Sequence, residues 1–388
     1  MSVSYGIKSV LMMRWQSIGE TSFGTNLDQN DARIAEGIGE KRKRVPCITQ
    51  ICGGETFCLA LNDANQLIGW GSAFYGELGP EKATTEECHV ICVRPHVLFP
   101  SFSLEWERIA CGWHHAIAIS KGCMYAWGSN AFDQIGRVSN SNSNSQLPNC
   151  IISPMRIAFS INVINVSAGF GHSLLLDQHH RLWTWGRNSN GELGLGQSFR
   201  DIKSVQSPQL VKATEEEPLH LIATGYAHSA AISLTGQLYT FGWGLYHQLG
   251  HGNSQDLHEL TRIQAFDGIR DDQAVPIRIT SVACGTWHTA VCTSSGDLYT
   301  WGWNENGQLG HLGKASKISP CVVSSQDAAI QTLLENVKDV VCGNRHTTAL
   351  CEGGKVFHWG LQASSDEIDA HVIASGHSNS YILHINKD

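Results

Sequence analysis

The sequence predicts an all-β fold, a seven-bladed β-propeller, on the strength of three observations. A glycine-x-x-histidine frame recurs along the chain, an aromatic-glycine pair follows each frame at a nearly constant offset, and successive frames lie 56 to 60 residues apart. A fixed period of this size marks a repeat architecture, in which one supersecondary unit is copied and stacked against its neighbours.

The frame reads GWHH, GFGH, GYAH, GTWH and GNRH, ending in His115, His172, His228, His288 and His346, with a degenerate copy, GGET, at 53–56. The aromatic pairs are Trp70-Gly71, Trp127-Gly128, Trp185-Gly186, Phe241-Gly242, Trp301-Gly302 and Trp359-Gly360, at offsets of 17, 15, 16, 16, 16 and 16 from the first glycine of each frame. A third element follows: GELG at Gly76 and Gly191, DQIG at Asp133, HQLG at His247 and GQLG at Gly307. Within a period, HTAVCTSSGDLYTWG (288–302) predicts two short strands around a turn, from its β-branched and aromatic residues and the SSGD punctuation. The rest of the period holds a polar loop and a further apolar run such as RITSVACG (278–285). That makes roughly four strands per unit, the content of one propeller blade.

Cut at the aromatic, the repeats run over 15–70, 71–127, 128–185, 186–241, 242–301 and 302–359, and the last joins 360–388 to 1–14 in a single domain, 1–388. The segment GHSNSYILHIN (376–386) opens one more frame whose aromatic would fall beyond the final residue, while LMMRWQSIGETSFG (11–24) places Trp15 in an aromatic slot. The N- and C-terminal strands are therefore expected to pair and close the ring, which removes exposed sheet edges. From Trp359 to Gly376 there are only 17 residues, against 40 to 44 elsewhere, so one blade is expected to be abbreviated near 360–376.

The bulk composition sets the class. Of 388 residues 42% are hydrophobic, and no run approaches the ~20 apolar residues of a membrane span, so membrane insertion is not expected. The N-terminal MSVSYGIKSVLMMRW carries no recognisable signal peptide, which predicts a cytoplasmic and/or nuclear protein. Thirteen cysteines include no C-x-x-C pair, so buried thiols are expected rather than a zinc ribbon. A net charge of -8 argues against nucleic-acid or chromatin binding.

Period, W-G-x-N-x-x-G-Q-L-G and G-x-x-H-(T/S) together resemble the regulator of chromosome condensation (RCC1) repeat family of seven-bladed propellers, over nearly the whole chain. Propellers of the WD40 and kelch types have shorter periods, about 40–45 and about 50 residues. The resemblance implies a non-enzymatic protein whose partners dock on loops.

Each candidate site has a plainer explanation. Five repeated histidines suggest metal ligands, but zinc requires convergence on one point at ~2.0–2.3 Å, and equivalent positions on different blades stay apart. His115, His172, His228, His288 and His346, with Trp127, Trp185, Trp301 and Trp359, are therefore expected to be structural, each histidine bonding backbone within its own blade. Cys52, Cys111, Cys284 and Cys342 share the position before the first glycine and read as small buried strand residues. A plant branch of the family senses ultraviolet light through GWRHT frames, of which only Trp113 is matched here, so photoreception is not expected. The basic run EKRKRVP (40–46), with Lys41, Arg42, Lys43 and Arg44, is either a nuclear-import signal or contact for an acidic partner, or a solvated loop. No catalytic constellation, cofactor-binding loop or phosphate-binding loop is present in the sequence.

Two functional readings follow. One is a protein-interaction scaffold that docks a protein partner on a propeller face. The alternative is a guanine nucleotide exchange factor for a Ras-like small GTPase, as the family's founding member is for Ran. Exchange would use a loop or hairpin in one of the long segments 80–104, 137–162, 197–220 or 252–278.

Overall fold

Every second strand of the repeat is buried along its whole length, and this dictates the architecture. Phe57–Asn62, His115–Ser120, His172–Asp177, His228–Ser233, His288–Thr293 and His346–Cys351 show no alternation of buried and exposed positions. Sequences such as HAIAIS and HSLLLD lack the polar-out rhythm of a half-exposed strand, so both faces of their sheets are covered. In a computed structural model, which describes residues 9–14, 48–80, 90–136, 149–323, 334, 336–361, 368–369, 372–375 and 379–384, neighbouring sheets provide that cover.

Six four-stranded antiparallel sheets follow one another in simple meander order. Their inner strands are Ile48–Gly53, Arg108–Cys111, Val163–Ala168, Leu219–Thr224, Ile279–Cys284 and Val337–Cys342, here numbered as blades 1 to 6. Each inner strand packs on the next around a central axis, and Val372–Ser375 packs on both Val337–Cys342 and Ile48–Gly53 to complete the circle. The closing sheet has three strands, in which Ser9–Arg14 pairs antiparallel with Asn379–His384 from Ser9 opposite His384 to Arg14 opposite Asn379. Seven blades were expected. Among the described residues the count of complete blades is six, because the closing sheet stops at three strands and the sequence after Arg14 lies outside the described set. The shortage of residues after Trp359 falls in blade 6, whose outer strand among the described residues is Ile368–Asp369.

Blade boundaries fall after the outer strand, at 97, 156, 210, 262 and 322, so a period cut at the aromatic straddles two blades. The aromatic-glycine pair lies within two residues of the end of the third strand, where the ladder to the outer strand shifts register, for example between Thr300 and Gly302. Gly302 takes φ +103°, and a Cβ there would lie 2.6 Å from the Trp287 carbonyl oxygen, so only glycine serves.

The first tile needs a correction. Phe57 pairs with Gly71 as His115 pairs with Gly128, and the Gly54 N–H bonds the Phe57 carbonyl as that of Gly112 bonds His115. The frame of blade 1 is therefore Gly54 to Phe57, one residue later than GGET, with phenylalanine in place of histidine. Cys52 then aligns with Ala110, not Cys111, and its side chain points to the opposite side of its sheet.

Candidate functional site

Four of the five repeated histidines bond the next blade and not their own. His115 Nε2 lies 3.0 Å from Ser173 Oγ, His172 from Ser229 Oγ at 3.0 Å, His228 from Thr289 Oγ1 at 3.0 Å and His288 from Thr347 Oγ1 at 2.8 Å, always in the following blade. Each hydroxyl donates in turn to a backbone carbonyl of the histidine's blade: Gln134, Glu192, Gln248 and Gln308. The hydroxyl proton is thus committed, so each histidine donates from Nε2–H and leaves Nδ1 unprotonated. Burial pushes all four imidazoles down to about 3 from 6.5, so they are neutral at physiological pH. Where the histidine is missing, at Phe57, the hydroxyl of the next blade is missing too, replaced by Ala116 in the same apolar cluster.

Three of these four carbonyls, Gln134, Gln248 and Gln308, also accept an indole. Trp127, Trp185, Trp301 and Trp359 donate Nε1–H to the carbonyls of Glu77, Gln134, Gln248 and Gln308 in the preceding blade at 2.8 to 2.9 Å. The same glutamates and glutamines accept the backbone N–H two residues upstream, as Gln248 does from Tyr246 at 2.9 Å, which shapes the loop. The three sequence elements are therefore one interblade lock, and His346 continues the series as the buried first residue of its strand.

Above the lock, the loops after the first and third strands share one end of the ring. Their side chains form a belt of rings that the individual motifs do not reveal. Tyr75 meets His114 (centroids 4.8 Å), Trp113 meets Phe170 (4.5 Å) and Tyr226 (5.0 Å), and Phe170 stacks on Tyr226 (4.5 Å, 30°). Tyr226 reaches Trp243 (6.4 Å), then Tyr246 (5.4 Å), Trp287 (5.3 Å) and Trp303 (4.8 Å from Trp287) continue around the axis. Phe74, Tyr75 and Leu245 are 44%, 39% and 52% exposed on the same loops. Trp243 and Trp303 immediately follow the aromatic-glycine pair, so the repeat carries their signal one residue beyond that motif.

Several charged groups on this face are engaged by carboxylates or by rings. The Arg187 guanidinium sits 5.5 Å from the Phe170 ring, and its Nε is 3.6 Å from Glu192 Oε1. Arg345 lies 5.8 Å from the Trp303 ring. His114 lies between two carboxylates, with Nε2 3.1 Å from Glu55 and Nδ1 3.6 Å from Glu77. Burial opposes its charge, but hydrogen bonds and attraction to Glu55 and then Glu77 outweigh it and push His114 up to about 9. Below the belt, Gly53, Cys111, Ala168, Thr224, Cys284 and Cys342 line an axial cavity of about 110 Å³. Lys41, Arg42, Lys43, Arg44 and Trp15 lie outside the described residues. Among those described, no helix is long and apolar enough to cross a membrane.

The comparisons agree with this geometry. The family model described as "Regulator of chromosome condensation (RCC1) repeat" matches residues 121–176, 179–232, 235–292 and 295–350, and a second model of the same description matches 163–192, 279–308 and 337–364. The chain is similar to the ultraviolet-B receptor UVR8 of Arabidopsis thaliana, at 30% identity over 320 residues, covering 80% of this chain and 64% of the receptor. It is also similar to the human probable E3 ubiquitin-protein ligase HERC6, at 31% identity, covering 78% of this chain but 27% of the ligase. The chain thus spans less than two thirds of either relative. Among solved structures, human WBSCR16 superposes with a TM-score of 0.71 at 21% identity, covering 89% of this chain and 88% of that one. Prp20p of Saccharomyces cerevisiae superposes with a TM-score of 0.67 at 20% identity, covering 88% and 83%. With more than half of its length matched by the family model, the chain belongs to the RCC1-repeat family.

Proposed function

We propose that the protein is a non-enzymatic scaffold that docks a protein partner on the aromatic end of the ring. The supporting observation is the belt from Tyr75 to Trp303. Aromatic side chains offer large apolar area at small entropic cost and are enriched where protein interfaces are anchored. Arg187, His114 and Arg345, the cations among the rings, are engaged by Glu192, Glu55, Glu77 and aromatic rings. Such a surface suits a partner with apolar anchors better than a phosphate backbone. Action in the cytoplasm or nucleus belongs to this reading, with Lys41–Arg44 as the import or acidic-partner contact to be tested by alanine replacement and imaging.

A second reading, nucleotide exchange on a small GTPase, is favoured by one observation at the opposite end. Between Leu257–Arg262 and Ile279–Cys284 the chain forms a short antiparallel turn in which Arg270 pairs with Pro276. The Asp271 carboxylate accepts the N–H groups of Gln273 (3.0 Å) and Val275 (2.8 Å), and Val275 is 51% exposed. A projecting turn of this kind is what insertion against a GTPase switch requires. Structures of the yeast fold relative concern its complex with Kap60 and its binding to Gsp1p and histones.

One experiment separates the two. The tagged protein is used to capture partners from its own cell extract with EDTA, and with GTP and magnesium, in three forms: wild type, Tyr75→Ser/Leu245→Ser, and a turn variant with 271–275 replaced by glycine and serine. A nucleotide-insensitive partner lost from the double variant supports the scaffold. A small GTPase enriched by EDTA and lost only from the turn variant replaces it with exchange.

A further inference from the structure

Two cysteine sulfurs meet where blades 1 and 2 join. Cys52 Sγ and Cys111 Sγ are 2.7 Å apart, from strands 59 residues distant in sequence. A disulfide measures ~2.05 Å, so closing the bond asks for a movement of ~0.6–0.7 Å. We propose that Cys52 and Cys111 are a site of reversible disulfide formation that staples the inner strands of the first two blades. The inference stands apart from the docking reading, since it concerns the wall beneath the aromatic face.

The one-residue offset between the two cysteines is what brings them together. Side chains alternate across a strand, so adjacent positions on an inner strand point toward opposite neighbouring blades. Cys111 occupies the position opposite Ala116 in its ladder and Cys52 the position before it, opposite Leu59. One thiol therefore looks forward from blade 1 and the other back from blade 2. The same pair of positions at the junction of blades 3 and 4 holds Ser167 and Thr224, whose hydroxyls are hydrogen-bonded at 2.8 Å. Cys284 and Cys342 share a single position, opposite Thr289 and Thr347, so they point the same way around the ring. Cys342 Sγ lies 3.9 Å from Thr347 Oγ1 of its own blade.

The backbone on both sides of the sulfur pair is clamped. Gln50 donates from Nε2 to the Ile109 carbonyl at 2.9 Å and accepts the Ile109 N–H at 3.1 Å. Past the cysteines, the Glu55 N–H bonds the Trp113 carbonyl at 3.0 Å. The two strands are held at a spacing that the bond would keep. Both cysteines are only partly buried, so the pair can be reached from outside the wall. Burial holds the Cys111 thiol well above the ordinary thiol range, so the pair stays reduced until an oxidant is supplied.

The oxidant is a small-molecule disulfide of the glutathione class. One protein thiol loses its proton to solvent, and its thiolate attacks that disulfide, forming a mixed disulfide and expelling one small thiolate. The second protein thiol, deprotonated in turn, attacks the protein sulfur of the mixed disulfide. The Cys52–Cys111 bond forms and the second small thiolate leaves. Two protein thiols are oxidised, one small disulfide is reduced to two thiols, and both protons end on the leaving thiols.

The test uses the full chain, reduced and desalted, then incubated with oxidised glutathione and quenched by alkylation in denaturant. Peptide mapping by mass spectrometry is expected to find a Cys52–Cys111 cross-link, with a mass loss of two hydrogens and reversal by dithiothreitol. Cys111→Ser is expected to stop at a persistent glutathione adduct on Cys52. Cys52→Ala, which makes blade 1 like blade 2 at that position, guards against a folding artefact and is expected to abolish the cross-link with an unchanged circular dichroism spectrum. Stable adducts on both cysteines without a cross-link, full alkylation of both, or a Cys284–Cys342 cross-link appearing as fast would overturn the proposal.

Discussion

Replacing Thr289 with alanine tests the interblade lock at a single hydroxyl. That oxygen accepts the proton on His228 Nε2 at 3.0 Å and donates to the Gln248 carbonyl at 2.8 Å. Once it is removed, the Gln248 carbonyl keeps the Trp301 indole N–H at 2.8 Å, so it is not orphaned. The imidazole N–H is orphaned, inside a site with no exposed surface on the residue. A buried donor left without a partner costs about 1–3 kcal/mol, and that is the expected loss. The protein supplies the compensating change itself, because Phe57 and Ala116 occupy the same two positions at the junction of blades 1 and 2. Phe57 packs on Gly54 as His228 packs on Gly225, so His228→Phe with Thr289→Ala replaces a polar pair by an apolar one of tested shape. The double variant is expected to recover about 1–2 kcal/mol relative to the sum of the single changes. Urea unfolding of the four proteins, at matched slopes, measures this coupling. Costs that simply add, or a double variant worse than the sum, would refute the view that histidine and hydroxyl act as one unit.

Acid should destabilise the ring through the same histidines. His115, His172, His228 and His288 have folded values of about 3 against 6.5, so below pH 6.5 the unfolded chain takes up protons that the folded chain refuses. Stability is therefore full above pH 6.5 and falls toward pH 3, by up to ~1.4 kcal/mol per pH unit for each histidine; the urea midpoint followed over this range should fall less steeply in the His228→Phe/Thr289→Ala double variant, which has one such histidine fewer. His114 has the opposite sign: raised to about 9 from 6.5, it contributes below pH 6.5 and that contribution is lost as pH rises through about 9, which an NMR titration of its ring would register as a late transition, absent in Glu55→Gln/Glu77→Gln if these carboxylates are the cause. A Cβ at position 225 would press into the Gly285 carbonyl oxygen of the next blade, so Gly225→Ala is expected to cost about 3 kcal/mol, the upper end for overpacking, while the same change at the open Gly252 stays near the ordinary cost of a left-handed alanine.

Much of this was legible in the chain. The recurrence of Trp185-Gly186, His172 and the glutamine or glutamate loop identified the family and the blade, since a repeat must present the same chemistry at each junction. Pairing of the terminal strands followed from the extra frame at 376–386 and its complement near the N-terminus, and counting residues after Trp359 pointed to an abbreviated blade near 360–376. What the sequence left open depends on which atoms meet between blades. Motif spacing put the histidines in their own blades, whereas rotation about the axis delivers four of the five to the next blade's hydroxyl. It also put GGET in the first slot, because Gly53 and Gly54 are equivalent as letters, and only the ladder register, Phe57 opposite Gly71, chose between them. The aromatic belt and the Cys52–Cys111 contact have the same origin. The Cys52–Cys111, Trp113–Phe170 and Phe170–Tyr226 contacts join residues about one period apart, and a one-residue change of position sends a strand side chain to the other neighbour. Sequence determined what each blade is made of; the closed ring decided what each blade touches.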